Sequence, residues 1–293
     1  MKERKYRKRR GRMGKKNSRS SKRFFSAVKE LILEKKFMIL ILGGVIGLLS
    51  FFITVMIEEL DLEAFEDIFS SFPEGMMDFF GDMAVLTNPY GFWTMEILSF
   101  IWLYGGIYFI FMASSLLSQE VENKTIDLSL SKPISRYSFL GSKITFLYVF
   151  IMTTIGIVFL ITMGSMAASS IYRAEGLYFD RLFATYFSVV LFLAALAMVS
   201  KFISTIFLST KKSMALGVMI LFIMFFLGEF YVYMDEAIQG IKYISIFYYF
   251  NPVEYIVNAN IVIFTRDIYI LGMINVALII GSLVVFDKKD IPN

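Results

Sequence analysis

The residues best suited to chemistry form one polar stretch, Ser118 to Lys143, which lies between two apolar runs. It carries charges of both signs and several hydroxyl groups, and it contains Glu120, Glu122 and Pro133. Proline disfavours a helical conformation of the residue before it, so the stretch predicts a short helix, a turn and a second helix. Such a loop would be rigid enough to transmit a mechanical displacement to the helices on either side of it. An ordinary charged loop with local ion pairs is the alternative interpretation.

Cysteine and histidine are both absent from the chain. Their absence excludes disulfides, thiolate zinc sites, cysteine nucleophiles and imidazole bases. An intramembrane enzyme would need a polar pair at one depth, and only Lys201 and Glu229 come close to membrane depth. We expect Lys201 to snorkel to the inner interface and Glu229 to lie in an outer aromatic belt, near opposite faces. The residues therefore argue against an enzyme.

Apolar residues make up 57% of the chain and occur in runs of about twenty. A helix of that length, rising about 1.5 Å per residue, crosses a hydrocarbon core of about 30 Å. The predicted fold class is an all-α integral membrane protein with six transmembrane helices. The predicted spans are residues 37–56, 97–117, 144–166, 182–208, 214–234 and 268–286. In the first span, Gly43 and Gly47 have the spacing of a close helix contact, although chance is the plainer explanation.

The chain begins with a strongly basic segment, because residues 1–23 hold thirteen Lys and Arg against one acid. Residues 1–21 are too polar to pack, which predicts a disordered cytoplasmic tail that attracts anionic headgroups. A simple topology signal is the plainer interpretation. Residues 22–36 have an apolar side that includes Phe24 and Val28, so they predict an amphipathic helix in the inner membrane interface.

Basic residues set the predicted orientation. The segment from Ile57 to Met95 carries nine acids and no Lys or Arg, which places it outside. Residues 241–265 are apolar but interrupted by Asn251 and Pro252, which predicts two half-helices that dip into the outer leaflet and return. Both termini, including the tail 287–293, then lie inside, and four of the 29 Lys and Arg lie outside: Arg173, Arg181, Lys242 and Arg266.

The polar stretch resembles the signature of ABC-2 type permeases, the membrane subunits of a large class of ABC exporters. The matching run is EVENKTIDLSLSKPISR at residues 120–136, followed by Lys143. The match includes both acids, Thr125, the Pro-Ile-Ser-Arg turn and the distal lysine. It departs at Lys124, where the family usually has glycine, and at Ser129, where leucine is common. The missing glycine leaves a tight backbone turn unsupported by the sequence.

The resemblance implies that ATP is bound by a separate subunit. The nearest run to a Walker A motif, Gly11 to Lys15, has the wrong spacing. We therefore expect no cofactor in this chain, with ATP and Mg held by a cytosolic ABC ATPase. Two ATPase copies are expected beneath two permeases, the second being a copy or a close relative, in the plasma membrane. No specific nucleic-acid partner is expected.

In this family the loop after the second span docks in a groove of the ATPase, as does the interfacial helix. Carried over, the expected coupling residues of loop 118–143 are Glu120, Glu122, Thr125, Pro133 and Arg136. Lys29 and Glu30 are expected at the second contact. Export is expected because family members mostly move molecules outward. The alternative is a non-transporting membrane scaffold that recruits a partner through its basic N-terminus.

Overall fold

The computed structural model describes residues 2–60, 84–126 and 135–290, with side chains described from Arg23 onward. These parts of the chain contain helices and no strand. Six helices are long and apolar enough to cross a membrane, which confirms the predicted number of spans. We name them in chain order: α1 (Lys2–Glu59), α2 (Pro89–Glu122), α3 (Arg136–Ala168), α4 (Phe179–Phe207), α5 (Thr210–Glu229) and α6 (Ile261–Lys288).

The helices run up and down the bundle, so their ends gather at two places. The end that holds Glu122, Arg136, Thr210 and Lys288 is called the tail end below. The opposite end, which holds Pro89 and the other turns of the chain, is called the loop end. The expected coupling residues that the structure describes, which exclude Pro133, belong to the tail end by their place in the chain.

The first helix differs from the sequence prediction in being continuous. Its backbone is helical from Lys2 to Glu59, whereas a disordered tail at 1–21 and a separate interfacial helix at 22–36 were predicted. The physical reason is that Lys and Arg are good helix formers, and extending a formed helix avoids the cost of nucleation. From Arg23 to Glu59 the helix is about 55 Å long, so one end reaches well beyond a hydrocarbon core.

The second span begins earlier than the predicted residue 97 because Asn88 caps it. The Asn88 side chain accepts hydrogen bonds from the backbone N–H groups of Tyr90 and Gly91, and Pro89 occupies the first helical position. Two π-helical turns follow, Thr94–Leu98 and Trp102–Gly106, before regular α-helix resumes. Such turns are rare and widen the helix locally.

The glycines of α1 serve a close contact within the chain. A Cβ atom on Gly43 would lie 2.9 Å from the backbone oxygen of Thr154, and one on Gly47 would lie 2.5 Å from Cδ1 of Ile161. One turn further along, the hydroxyls of Ser50 and Thr162 are 2.6 Å apart. The spacing of Gly43 and Gly47 is therefore not a chance feature of an apolar helix, because it lets α1 and α3 pack closely.

The fourth helix lies at the centre of the bundle. Two thirds of its most apolar window is buried, against 17% for α6 and 22% for α5. Its buried face packs against α2, α3, α5 and α6. The outer helices instead expose large apolar side chains such as Phe222 and Tyr269, which suit contact with lipid or another chain.

The broken segment before the last span is partly as predicted. Pro252 does begin a short helix, Pro252–Ile256. The part before it forms 3-10 turns, Gln239–Ile244 and Phe247–Tyr249, in place of a half-helix. The last span begins at Ile261 and not at 268, because the Asn260 side chain accepts a hydrogen bond from Ile263 N–H and caps it there.

Candidate coupling site

The C-terminus of α2 ends in a tight turn of the Schellman type. The backbone N–H of Thr125 donates to the carbonyl of Glu120 at 2.9 Å, and that of Lys124 donates to the carbonyl of Val121 at 3.0 Å. Lys124 has φ 55°, the left-handed conformation that such a turn requires. The family usually has glycine at this position, and the tight turn that glycine would favour is present here with lysine in its place.

An ion pair joins α2 to α3 at the tail end. The Lys143 ammonium group donates to the Glu120 carboxylate and, at 2.5 Å, to the carbonyl of Leu116. The Lys143 side chain is 4% exposed and the Glu120 side chain 31%. The ammonium also lies 4.9 Å from the ring centroid of Phe139. Glu120 is thus held inside the chain, where it fixes the end of α2 against α3.

Glu122 joins α2 to α5. Its carboxylate accepts a hydrogen bond of 2.8 Å from the backbone N–H of Thr210, the first residue of α5. The N-terminus of a helix carries unpaired N–H groups and a partial positive charge, which a carboxylate satisfies. The preceding turn is sharp, since Leu208 has φ 49°. Glu122 therefore stabilises the turn between α4 and α5.

Arg136 joins α3 to α6. Its guanidinium donates from Nη1 to the carbonyls of Asp287 at 3.1 Å and Lys289 at 2.7 Å. The Tyr137 hydroxyl donates to the Asp287 carboxylate at 3.0 Å. A cation at a helix C-terminus satisfies carbonyls that lack a helical partner. The start of α3 thus holds the end of the last span.

The structure brings four of the predicted coupling residues, Glu120, Glu122, Thr125 and Arg136, to one end of the bundle. Pro133 lies outside the described residues. The remaining two, Lys29 and Glu30, are exposed on α1. No hydrogen bond or ion pair within the described ranges links either of them to the loop, and their contact with an ATPase stays a prediction.

The sequence prediction for Lys201 was wrong. Its side chain is fully buried, and its Nζ has no hydrogen-bond partner in the described part of the chain. Lys143 and Glu120 are close enough to act on it electrostatically. Snorkelling would require an open path along the helix. The central α4 has none at this position, because neighbouring helices cover it on all sides.

Sequence reasoning also missed a polar seam beside Lys201. Ser114 and Ser200 place their hydroxyl oxygens 2.5 Å apart, and Ser118 and Ser204 place theirs 2.9 Å apart. Both pairs join α2 to α4. The signal that could have found them is the repeated four-residue spacing of serines in two apolar helices, which suits close packing and hydrogen bonding in a membrane.

A cavity of about 370 Å³ opens beside the ion pair. It is lined by Glu120 and Lys143 and, from α1, by Leu31, Glu34 and Lys35. The part of α1 that was predicted to lie in the interface therefore faces the coupling stretch. No group of side chains that could hold a metal ion occurs in the described ranges.

Comparison with protein families matches residues 20–291 to a family described as ABC-2 family transporter protein. Searches of the curated proteins and of the solved structures returned no significant match. The matched range contains α1 from residue 20 onward, the other five long helices and every residue of the site above from Leu31 to Lys289. The chain therefore belongs to the ABC-2 transporter family and is a membrane subunit of a transporter.

Proposed function

We propose that the chain is the permease subunit of an ABC exporter and couples transport to ATP hydrolysis by a separate ATPase subunit. One observation carries this proposal. The stretch from Glu120 to Arg136 makes polar contacts with three spans besides α2. Glu120 pairs with Lys143 of α3, Glu122 accepts a hydrogen bond from the start of α5, and Arg136 donates to the end of α6. An ordinary connecting loop would need no such set of contacts.

These contacts would allow a movement of the loop to displace the helices that it contacts. Closure of an ATPase is a rigid-body motion, and a loop fixed to several helices passes that motion on to all of them. Glu120 would move α3 through Lys143, while Glu122 would move α5 through Thr210. Arg136 would carry the motion to α6. Rearrangement of the bundle between two states then alternates access to the pathway.

The family resemblance supports the rest of the assembly. We place the tail end in the cytoplasm, with both termini there, in the plasma membrane. ATP and Mg would be bound by two ATPase copies beneath two permeases, the second a copy of this chain or a relative. The exposed Lys29 and Glu30 and the loop after α2 would meet the ATPase, and the basic tail would meet anionic headgroups.

The first test is to purify the chain from its native cells under mild solubilisation and to identify the accompanying proteins by mass spectrometry. An ABC ATPase should be present with the unsubstituted chain and depleted with Lys29→Ala/Glu30→Ala. The exposed Glu236 at the loop end provides a matched control, and Glu236→Ala should retain the ATPase. Absence of any ATPase, even after crosslinking, would contradict the proposal.

A second variant separates coupling from docking. Arg136→Gln removes the bonds to the end of α6 and should leave the ATPase bound, while transport per ATP hydrolysed falls several-fold. The scaffold alternative predicts the opposite sensitivity, since deletion of residues 1–20 would abolish function and Arg136→Gln would not affect it.

The direction of transport can be tested in reconstituted vesicles. An exporter takes ATP and transported molecule from the same face of the membrane. Accumulation of the molecule should therefore require both to be added to the same side. A requirement for ATP and the molecule on opposite sides would mean import.

A further inference from the structure

A second cavity, of about 550 Å³, lies at the loop end between α2, α5 and the broken segment before α6. Half of the residues that line it are aromatic. The rings that line it include Phe100, Trp102, Phe225, Phe230, Phe247 and Phe250. Several of them hold one another in place, since the Trp102 ring centroid lies 4.6 Å from that of Phe225 and 5.7 Å from that of Phe247. The wall is therefore a packed aromatic surface and not a set of loose side chains.

The charged residues that line this cavity are both acidic. Glu229 and Glu254 line it, and no Lys or Arg does so among the described residues. The Glu254 carboxylate is already held by the side-chain amides of Asn258 at 3.0 Å and Asn260 at 3.1 Å. Glu229 is exposed and has no hydrogen bond or ion pair within the described ranges. It is also the last residue of α5, where the helix dipole disfavours a negative charge. The fold thus gives Glu229 no stabilising role.

Trp102 contributes a buried aromatic ring to the same wall. The residue is 6% exposed, and its indole N–H has no acceptor in the described part of the chain. It is the first residue of a π-helical turn, a distortion that often marks functional sites. A buried indole N–H normally finds a partner. The indole nitrogen has no accessible surface, so Trp102 presents its ring and not its N–H to the cavity.

We propose that this cavity binds an organic cation with an apolar body. Aromatic faces attract cations, and the Glu229 carboxylate supplies the opposite charge. The chain shows the same preference nearby, where the Lys242 ammonium lies 4.3 Å from the ring centroid of Tyr231. The proposal rests on the proposed transport function, for which it names the class of molecule carried.

The first experiment compares two ions of the same shape and opposite charge, tetraphenylphosphonium and tetraphenylborate. The chain has two tryptophans, and Trp93 is buried outside the cavity, where it donates to Ser50 at 2.8 Å. Trp93→Phe therefore leaves Trp102 as the only tryptophan reporter. The cation should change its fluorescence saturably and the anion should not. Equal responses to both ions, or none to the cation, would overturn the proposal.

The second experiment removes the charge while keeping the shape. Glu229→Gln should weaken binding of tetraphenylphosphonium by about tenfold or more, as expected for the loss of a charge-assisted contact. Glu229→Asp should retain most of the affinity, and Glu236→Gln, an exposed acid outside the cavity, should leave it unchanged. An unaltered affinity in Glu229→Gln would overturn the proposal.

Equilibrium dialysis of the unsubstituted chain gives the same cation-to-anion comparison without any variant, so a substitution that prevents folding does not block the test. All these measurements use the purified full-length membrane chain alone. Their failure would leave the ATPase proposal standing. Failure of ATPase co-purification, with saturable cation binding intact, would instead leave a cation-binding membrane protein without the proposed coupling.

Discussion

The ammonium group of Lys143 on α3 is paired with the carboxylate of Glu120 on α2, and it is the lysine that is buried. This asymmetry predicts unequal effects of removing either partner. Glu120→Gln leaves a buried ammonium without an opposite charge and should lower the free energy of unfolding by about 2–3 kcal/mol. Lys143→Met leaves a carboxylate that water can reach and should lower it by only about 1 kcal/mol.

The measurement is reversible unfolding of the purified chain in mixed micelles. The double variant Glu120→Gln/Lys143→Met should lose less than the sum of the single losses, since neither partner is left without the other. Strict additivity would show that the pair contributes no interaction energy.

Substitution of Lys201 should change the free energy of unfolding in the opposite direction. A buried ammonium without a partner is costly inside a membrane protein, and methionine fills similar space without a charge. Lys201→Met should raise the free energy of unfolding by about 1–3 kcal/mol, in contrast to Lys143→Met. The same unfolding titration checks this sign. A loss of stability would contradict the prediction, because it would show that the Lys201 side chain makes a stabilising interaction in the folded chain.

Lys124 occupies a backbone conformation that glycine adopts more easily. Its φ of 55° lies in the left-handed region, where a Cβ atom is disfavoured. Lys124→Gly should therefore raise the free energy of unfolding by about 0.5–1 kcal/mol. Lys124→Ala keeps the Cβ atom and serves as the control, with no such gain expected. If alanine stabilised the chain as much as glycine, the lysine charge and not the backbone would be the cause.

Three glycines of α1 form a graded series. Gly43→Ala would place its Cβ against the backbone oxygen of Thr154, which cannot move aside, and should cost about 2–3 kcal/mol. Gly47→Ala meets the end of the flexible Ile161 side chain and should cost about 1 kcal/mol. Nothing lies within 4 Å of a Cβ atom at Gly44, so Gly44→Ala should be neutral or slightly stabilising.

Melting temperatures of the three variants in detergent give the ranking. Equal effects at Gly43 and Gly44 would show that α1 does not pack on α3 through this face. If the melting temperature fell only for the oligomer and not for the monomer, the glycines would belong to a contact between copies of the chain.

Much of the fold could be predicted from the sequence because its signals are local. Apolar runs of about twenty residues correspond to spans through the thickness of a bilayer, and all six occur. The dipeptide at Asn251 and Pro252 predicted a helix start that is observed. The run from Glu120 to Arg136 identified the family from its residue types and order alone, and the family match confirms it.

The tertiary structure decided which of these residues meet. Arg136 bonds to the carbonyl of a residue 151 positions away, and Lys143 pairs with a carboxylate 23 positions away. No local pattern encodes such distances. Lys201 was misjudged for the same reason, since its sequence position is near a helix end but its neighbours in space close every path to water. Periodicity identifies a helix and its apolar character, whereas burial and pairing depend on which other helices cover each face.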